Sequence, residues 1–342
     1  MQRDDLPDGE SRTVTTNEGD RITVRQARHA DEDAVVAFTE DTWSDRRDAG
    51  DYIPRVFADW VDTDGPDQRT FVLDVNDGED VAGILQAVML SSYEGWTQGM
   101  RMNPTYRGLG ISDLLTDAAF EWCRDRGGTV ARAMVFSWNI AGLGQSGSVG
   151  FVPIAEFRYA NPEPNPDASF DDDRLRDVDI ATDDRADPIG AWSFWNRSAA
   201  RKELVGLVMD DSESWSLSEL QRDRLQEAAD DGRLMTVSER GISGFTYRDR
   251  TYERTDENGD QRTIALYSIA AWETEAAARG LYRAIARDAA AVGADRTRVL
   301  IPEGPRWVGH TARARVPVAD YPDFVIEADL TDPEAGTSVR SS

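Results

Sequence analysis

The sequence is poor in lysine, cysteine and histidine. Lys202 is the only lysine among 342 residues, Cys123 is the only cysteine, and His29 and His310 are the only histidines. A single cysteine excludes an intrachain disulfide and a cysteine-based zinc cluster, and two histidines are too few for a histidine-rich metal site. We therefore expect no bound metal.

Long apolar segments are also lacking. No apolar run approaches the roughly 20 residues that a membrane-spanning helix needs, and residues 1–20 contain no apolar core of a signal peptide. Apolar residues nevertheless make up 40% of the chain and aromatic residues 9%, which is typical of a globular protein. We expect a cytoplasmic protein that does not bind membranes.

Basic residues are outnumbered by acidic ones. The chain has 64 Asp and Glu against 38 Lys and Arg, a formal net charge of -26. Nucleic-acid binding is disfavoured because phosphate recognition requires a basic surface. A lysine-poor, carboxylate-rich surface suits a cytosol of molar salt, where charge repulsion is screened within about 3 Å, and the composition resembles that of haloarchaeal cytosolic proteins. The alternative is an acidic surface that recruits a cationic partner.

Hydrophobic periodicity predicts alternating helices and strands. Residues 51–62 carry apolar side chains at the spacing of one helix face, and residues 70–75, 81–90 and 96–102 read as strands. Further helices are predicted at about 191–205, 218–229 and 273–292. A Pro- and Asp-rich stretch predicts an interdomain linker. We therefore expect a flexible N-terminus over 1–20, a first domain over 21–160, the acidic linker over 161–190, a second domain over 191–331 and a flexible tail over 332–342.

The second half repeats the element order of the first. A strand, a long helix and a second strand are predicted around the glycine turn described below and again over residues 263–301. An internal duplication explains this repeat economically. The second copy lacks the glycines, since Trp272-Glu273-Thr274-Glu275-Ala276 stands where the first has Tyr106 to Gly110.

The most informative segment is a glycine-bearing turn between a strand and a helix. Arg107-Gly108-Leu109-Gly110-Ile111-Ser112 precedes a helix with an apolar face. Unpaired backbone amides at a helix N-terminus bind anions, because the helix dipole adds partial positive charge there. The turn is neither a Walker motif nor a dinucleotide-binding fingerprint, since it lacks Gly-Lys-Ser/Thr and a parallel βαβ frame.

The string Met102-Asn103-Pro104-Thr105-Tyr106-Arg107-Gly108-Leu109-Gly110-Ile111-Ser112 resembles the acetyl-CoA-binding signature of GNAT N-acetyltransferases, V-x-P-x-x-R-G-x-G-[IV]-[GA]. A second family feature follows, because Asn139 precedes Gly150-Phe151 at the spacing found in that family. The resemblance covers residues 22–159. It implies an α+β protein of tandem GNAT folds, each a mixed, mostly antiparallel central sheet flanked by helices, with the second copy degenerate.

A finer resemblance concerns the whole length. Asp51-Tyr52-Ile53-Pro54 with Trp60, and Val325-Ile326-Glu327-Ala328-Asp329-Leu330 near the end, are similar to the histidine N-acetyltransferase-like tandem GNAT proteins. In that group the second domain is degenerate. Identity of the substrate need not follow from this likeness.

The resemblance implies roles for named residues. Arg107, Gly108 and the amides of Leu109, Gly110, Ile111 and Ser112 hold the CoA pyrophosphate. The backbone of Met100, Arg101 and Met102 lines the pantetheine arm and polarises the thioester carbonyl, and Asn139 contacts the cosubstrate. Asp51, Tyr52, Trp96 and Trp138 are candidates for an acceptor pocket, although aromatic residues at such spacing are more often core.

Two positions depart from the family. Many relatives carry a glutamate that acts as general base where this chain has Gln98, and a tyrosine that protonates the leaving thiolate where it has Ser146. Catalysis then depends on proximity and carbonyl polarisation, or on a base elsewhere, for which Glu94 and Asp51 are candidates. The alternative for Glu94 is a structural carboxylate in a turn.

The sequence predicts acetyl transfer from acetyl-CoA to a primary amine of a small molecule or amino acid, in a ternary complex, by a monomer or homodimer. Two alternatives stay open. The chain is a CoA-binding sensor or scaffold without catalysis, or it acetylates protein N-termini or lysines.

Overall fold

Residues 13–17, 19–43, 50–171, 173–255, 259–332 and 335 are described by the structure, a computed structural model. They divide into two compact units. The first takes its described residues from Met1–Ala133, Ile140–Val152 and Ile326–Ser342, and the second comprises Met134–Asn139 and Pro153–Val325.

The first unit is built on an antiparallel meander that ends in a parallel crossover. Strands β1 to β5 pair in chain order and antiparallel, and β5 pairs parallel with β6. The parallel pair requires a crossover connection, which α3 supplies. The elements are β1 (Thr13–Thr15), β2 (Arg21–Gln26), α1 (Glu32–Thr39), α2 (Ile53–Thr63), β3 (Gln68–Val75), β4 (Asp80–Met89), β5 (Glu94–Met102), α3 (Ser112–Arg124), β6 (Val130–Phe136) and α4 (Ile140–Ser148).

Helices cover both faces of this sheet. Val72 of β3 and Ile84 of β4 lie in one buried cluster with Ile53 and Phe57 of α2. The neighbouring residue of Ile84, Gly83, points to the other face, where a Cβ would lie 3.3 Å from Leu115 of α3. Strands covered on both faces are almost continuously buried, which explains the apolar runs in β3 and β4.

The second unit has a comparable sheet. Its strand order is β7-β14-β13-β12-β11-β8, with β13 and β14 parallel and the other pairs antiparallel. Strands β9 and β10 form a separate antiparallel pair. The elements are β7 (Val152–Ala160), β8 (Asp179–Ala181), α5 (Pro188–Arg197), α6 (Ala199–Glu203), β9 (Leu207–Met209), β10 (Leu217–Glu219), α7 (Arg222–Asp230), β11 (Leu234–Ser238), β12 (Ile242–Thr255), β13 (Gln261–Trp272), α8 (Glu275–Ala291), β14 (Arg296–Pro302), α9 (Pro305–Arg313) and β15 (Asp323–Asp329).

The last strand is shared between the units. In β15, residues up to Val325 belong to the second unit and residues from Ile326 to the first. Within the first unit, Glu327 Oε2 accepts from Nε of Arg132 at 2.7 Å, and the carbonyl of Leu330 accepts from Nε of Arg124 at 2.9 Å. The first unit is therefore completed by residues from the far end of the chain.

The fold class predicted from the sequence, α+β with a mostly antiparallel sheet, is confirmed. Several boundaries differ. The single helix expected over 191–205 is interrupted at Ser198, whose extended backbone (φ -73°, ψ 150°) ends α5 and whose hydroxyl caps α6. The helix expected from Ser218 begins later, because 217–219 form β10.

The predicted linker and termini also contain ordered elements. Within 161–190, the amide of Asn165 donates to the carbonyl of Ala286 at 2.8 Å, and β8 pairs with β11. Within the predicted flexible N-terminus, Thr13–Thr15 forms β1, and residues 1–12 and 18 lie outside the described residues. Of the predicted tail, only residues 332 and 335 are described.

Candidate functional site

The glycine turn lies between β5 and α3, as predicted. The side chain of Asn103 fixes its start by accepting from the amide of Thr105 at 3.1 Å and donating to the carbonyl of Val81 at 3.2 Å. Gly108 and Gly110 then adopt positive φ of 78° and 68°, which residues with a Cβ rarely adopt. A Cβ added at either glycine would meet nothing within 4 Å, so the turn has open space above it.

Six consecutive backbone amides of this turn have no acceptor within the described part of the chain. They run from residue 108 to residue 113, and Leu114 is the first residue after Arg107 whose amide donates, to the carbonyl of Ile111. No side chain caps α3 at its first residues. Unpaired amides at an uncapped helix N-terminus form a site for an anion such as a phosphate. The residues present therefore fit the pyrophosphate of CoA.

Strand β5 carries a bulge just before this turn. Gln98 is opposite Gln86 and Arg101 is opposite Ile84, so β5 has one more residue than β4 in this interval. Gly99 lies in the bulge with φ 70°, and a Cβ there would lie 2.6 Å from the ring of Trp60. The segment 100–102, predicted to line the pantetheine arm, therefore directly follows the bulge, and Arg101 and Met102 are paired again with Ile84 and Gly83.

Asp51 and Arg101 form a buried ion pair beside the bulge. Oδ2 of Asp51 accepts from Nε of Arg101 at 2.5 Å, and Oδ1 accepts from Nη2 at 3.0 Å. Oδ1 also accepts from the amide of Tyr52 at 2.7 Å. The guanidinium lies 4.2 Å from the ring centroid of Trp43. Asp51 is thus committed to holding Arg101, which differs from the role of free base or acceptor ligand expected for it.

Glu94 is likewise held in a buried network. Its Oε1 accepts from Nη1 of Arg132 at 2.6 Å and its Oε2 from the hydroxyl of Ser91 at 3.0 Å. Arg132 also pairs with Glu327, so one guanidinium joins two carboxylates. Glu94 opens β5, at the opposite end of the strand from the glycine turn. These contacts correspond to the structural alternative and not to a general base.

Gln98 and Ser146 have defined partners. Nε2 of Gln98 donates to Oε1 of Gln86 at 2.8 Å, and Gln98 is partly exposed beside the bulge. The hydroxyl of Ser146 donates to the carbonyl of Gly142, one turn earlier in α4, at 2.7 Å. This hydrogen bond occupies the proton of the hydroxyl, which agrees with serine being a poor acid at this position.

The aromatic candidates separate into two groups. Tyr52 packs edge-to-face against Trp60, with ring centroids 6.0 Å apart, next to the ion pair. Trp96 is 1% exposed, so it is a core residue and cannot wall an open pocket. Trp138 stacks on Phe136 at 5.1 Å between centroids. Asn139 ends the turn before α4 and, like Trp138, belongs to the segment grouped with the second unit.

Several neighbours of the candidate residues were not predicted from the sequence. Trp43 covers the guanidinium of Arg101, and Gln86, Thr70 and Asp64 connect to Gln98 through hydrogen bonds. Pairing partners across a sheet depend on register, and the bulge at Gly99 shifts that register by one residue. The unusual glycine within a strand was the signal that could have revealed the bulge.

The corresponding helix of the second unit begins differently. The hydroxyl of Thr274 accepts from the amide of Ala277 at 3.0 Å and donates to Glu239 at 2.7 Å. This capping satisfies an amide that α3 leaves unpaired, and a carboxylate stands beside the helix N-terminus. The start of α8 therefore lacks the features of an anion site.

Within the described residues, no group of three or more His, Cys, Asp or Glu has the arrangement of a metal site. No helix in these same ranges is long and apolar enough to cross a membrane.

Comparison with known proteins identifies relatives of the fold. Residues 33–143 match the acetyltransferase (GNAT) family, and no curated protein matches the sequence. A GCN5-related N-acetyltransferase from Sphaerobacter thermophilus is similar in structure at 13% identity, over 93% of this chain and 97% of that one, with a TM-score of 0.57. A protein from Thermoplasma acidophilum described as an acetyltransferase is similar at 16% identity, over 90% and 99%, with a TM-score of 0.52.

A third structure is longer than this chain. The glucosamine N-acetyltransferase region of a fungal multi-domain GH3 beta-N-acetylglucosaminidase matches 94% of this chain and 39% of that one, at 13% identity and a TM-score of 0.56. At these identities the likeness concerns the fold alone. It extends over both units, beyond the residues matched by the family.

Proposed function

From the premise that residues 33–143 form a GNAT acetyltransferase domain, we propose that this acyltransferase moves the acetyl group of acetyl-CoA to a primary amine of a small molecule or amino acid. The observation that carries the proposal is the run of amides 108–113, which have no acceptor among the described residues and which precede an uncapped helix. An anionic ligand supplies those acceptors.

Acetyl-CoA binds at the glycine turn. The amides of Leu109, Gly110, Ile111 and Ser112 donate to the pyrophosphate, and Arg107 and Gly108 complete the turn. The open space at both glycines supports this assignment. The backbone of 100–102, which directly follows the bulge, lies along the pantetheine arm and donates to the thioester carbonyl, a contribution of about 3 kcal/mol to the transition state. Asn139 is proposed to contact the cosubstrate as well.

The amine attacks the thioester directly in a ternary complex. A nitrogen–carbon bond forms, the carbon–sulfur bond breaks, and CoA leaves as the thiol. Neither Glu94 nor Asp51 serves as base, because each carboxylate is held by an arginine. The reaction therefore draws on proximity and carbonyl polarisation, and it favours amines that are partly deprotonated at the working pH.

The second unit is proposed to be a degenerate copy of the first, with domain limits near 21–160 and 191–331. Both units contain a strand, a helix and a second strand parallel to the first, namely β5-α3-β6 and β13-α8-β14. The capping of α8 by Thr274 supports a single acetyl-CoA site per chain.

The composition supports a particular environment. A net charge of -26 with one lysine suits a cytoplasm of high salt, so we propose a halophilic, cytoplasmic enzyme, monomeric or homodimeric. It acts on small molecules and not on nucleic acids, because the chain has no excess of basic residues.

The test is acetyl transfer by the full chain in molar salt. Release of CoA thiol is followed over a panel of free amino acids, polyamines, amino sugars and peptides, with product mass detection. A mass increase of one acetyl group on a free amine supports the proposal. Acetylation of peptides alone favours a protein acetyltransferase.

A second candidate is a CoA-binding sensor. It is favoured by the hydroxyl of Ser146, which donates to Gly142 and not toward a leaving group, and by the amide of Gln98, which cannot take a proton. Stoichiometric acetyl-CoA binding without thiol release over the whole panel would establish it.

A further inference from the structure

A row of hydrogen-bonded side chains crosses three strands of the first unit and includes Gln98. Nε2 of Gln98 donates to Oε1 of Gln86 at 2.8 Å. Nε2 of Gln86 donates to the hydroxyl of Thr70 at 3.3 Å, and that hydroxyl donates to Oδ1 of Asp64 at 3.1 Å. Gln86 and Thr70 are buried, and Gln98 is partly exposed.

Asp64 is anchored independently of this row. Its carboxylate accepts from the amide of Thr70 at 2.8 Å and from Nε2 of Gln26 at 3.0 Å. Burial raises the pKa of Asp64 above its ordinary value, and this shift is opposed by the hydrogen bonds from Thr70 and Gln26 and by the charge of Arg69, which donates to Oε1 of Gln26 at 2.9 Å. Three donors, the amide and the hydroxyl of Thr70 and Nε2 of Gln26, converge on this carboxylate, which accepts all of these hydrogen bonds and donates none of them.

An acceptor at one end fixes the direction of every bond in the row. Because Asp64 cannot donate, the hydroxyl of Thr70 donates to it and must accept from Gln86. The amide nitrogen of Gln86 therefore faces Thr70, and its oxygen faces Gln98. Gln98 in turn must present its nitrogen to Gln86, since two carbonyl oxygens at 2.8 Å would repel each other.

We infer that Asp64, acting through Thr70 and Gln86, holds the amide of Gln98 with its oxygen turned away from Gln86, and that this oxygen accepts a hydrogen bond from the amine of the acceptor. Gln98 then orients the nucleophile without removing its proton. Asp64, Thr70 and Gln86 are positioning residues. The part that concerns the amine rests on the proposed function, whereas the direction of the row does not.

The direction is tested without any substrate. In Gln98→Glu, the carboxylate faces the oxygen of Gln86 and is stabilised when protonated, so the pKa of Glu at this position lies above its usual value. Adding Thr70→Val frees Gln86 to rotate and donate to that carboxylate. The pKa should then fall by about one pH unit, as for one hydrogen bond to a charged group. Selective carbon labelling of glutamate side chains and NMR titration measure it.

Two further variants control this experiment. Thr70→Ser keeps the hydroxyl, so the double variant with Gln98→Glu should titrate like Gln98→Glu alone. Asp64→Asn places an amide nitrogen where it can donate to Thr70, which reverses the row and lowers the pKa as Thr70→Val does. Asp64→Asn also serves if Thr70→Val fails to fold. If the glutamate introduced by Gln98→Glu has the same pKa in all folded variants, the inferred direction is wrong.

The role toward the amine is tested by kinetics in the native Gln98 background. Thr70→Val should raise the KM for the amine about three- to tenfold, the value of one hydrogen bond, with the acetyl-CoA Kd unchanged and Thr70→Ser close to wild type. An unchanged KM in Thr70→Val overturns the contact with the amine. Absence of turnover in the wild type refutes the proposed function instead, and leaves the titration result intact.

Discussion

The carboxylate of Asp51 accepts two hydrogen bonds from the guanidinium of Arg101, and both side chains are almost completely buried. The side chain of Asp51 is 0% exposed and that of Arg101 10%. The pair connects the residues before α2 to the part of β5 that follows the bulge. This geometry favours a structural role for Asp51 over the role of a general base, and the two roles predict different effects of mutation.

Replacing Asp51 with Asn should destabilise the fold by about 3 kcal/mol or more, because the charge of Arg101 is then buried without a partner. Chemical unfolding in high salt measures the loss. The double variant Asp51→Asn/Arg101→Met removes both charges and should recover part of it. If Asp51→Asn instead unfolds like wild type and loses only kcat, Asp51 is a base and our interpretation is wrong.

Gly110→Glu should abolish acetyl-CoA binding, because it adds bulk and negative charge at the backbone amides of residues 108–113, the proposed site of the CoA pyrophosphate. Gly293 provides a matched control in the second unit. It has a similar φ of 71°, and a Cβ there also meets nothing within 4 Å. Gly293→Glu therefore adds the same charge and backbone strain at a different turn.

Calorimetry should give one acetyl-CoA site per chain in wild type and Gly293→Glu, and none in Gly110→Glu. Two sites in the wild type would contradict the assignment of α8 as a capped helix without an anion site. Unchanged binding in Gly110→Glu would exclude the glycine turn as the cradle.

Cys123 should be inert in the folded protein. Burial raises the pKa of its thiol to about 12. The sulfur also packs tightly against β5, since a Cβ at Gly95 would lie only 2.7 Å from Sγ. We expect modification by a thiol reagent at pH 8 only after denaturation. Rapid modification under native conditions would mean that α3 opens locally.

The same thiol makes stability depend on pH. The folded pKa lies above the unfolded value of 9.0, so the unfolded state loses its proton first as pH rises. Stability from the neutral thiol is complete below pH 9 and is lost progressively up to about 12. The difference in unfolding free energy between wild type and Cys123→Ala should therefore shift in favour of the variant above pH 9.

Salt should stabilise the protein. The charge of -26 opposes compaction, and added ions screen that repulsion. The melting temperature is expected to rise from tenths molar to molar KCl. Melting at the same temperature in dilute buffer would indicate that the acidic surface serves another purpose, such as binding a cationic partner.

Local pattern predicted most elements of the fold. The apolar spacing of 51–62 became α2 (Ile53–Thr63), and the helix expected over 273–292 became α8 (Glu275–Ala291). The break between α5 and α6 at Ser198 was not predicted, because the apolar spacing is helical on both sides of this capping residue. Helix α9 was missed, since its nine residues begin at a proline and carry a mixed pattern.

The parts of the candidate site that depend on local sequence could be predicted, whereas the side-chain partners set by strand pairing could not. The glycine turn lies where it was predicted, because glycine adopts the positive φ of Gly108 and Gly110 without help from distant residues. The partners of Glu94 and Asp51 are arginines 38 and 50 residues away. Such pairs follow from the register of the sheet, which the spacing of residues in the chain does not reveal.

The division of β15 has a consequence for the order of synthesis. The groups that hold Arg124 and Arg132, namely Leu330 and Glu327, are translated 206 and 195 residues after them. During translation the first unit waits for its final strand while the second is being made. During synthesis the sheet of the first unit thus has an unpaired edge at β6, exposed to other chains, until the residues of β15 from Ile326 onward leave the ribosome.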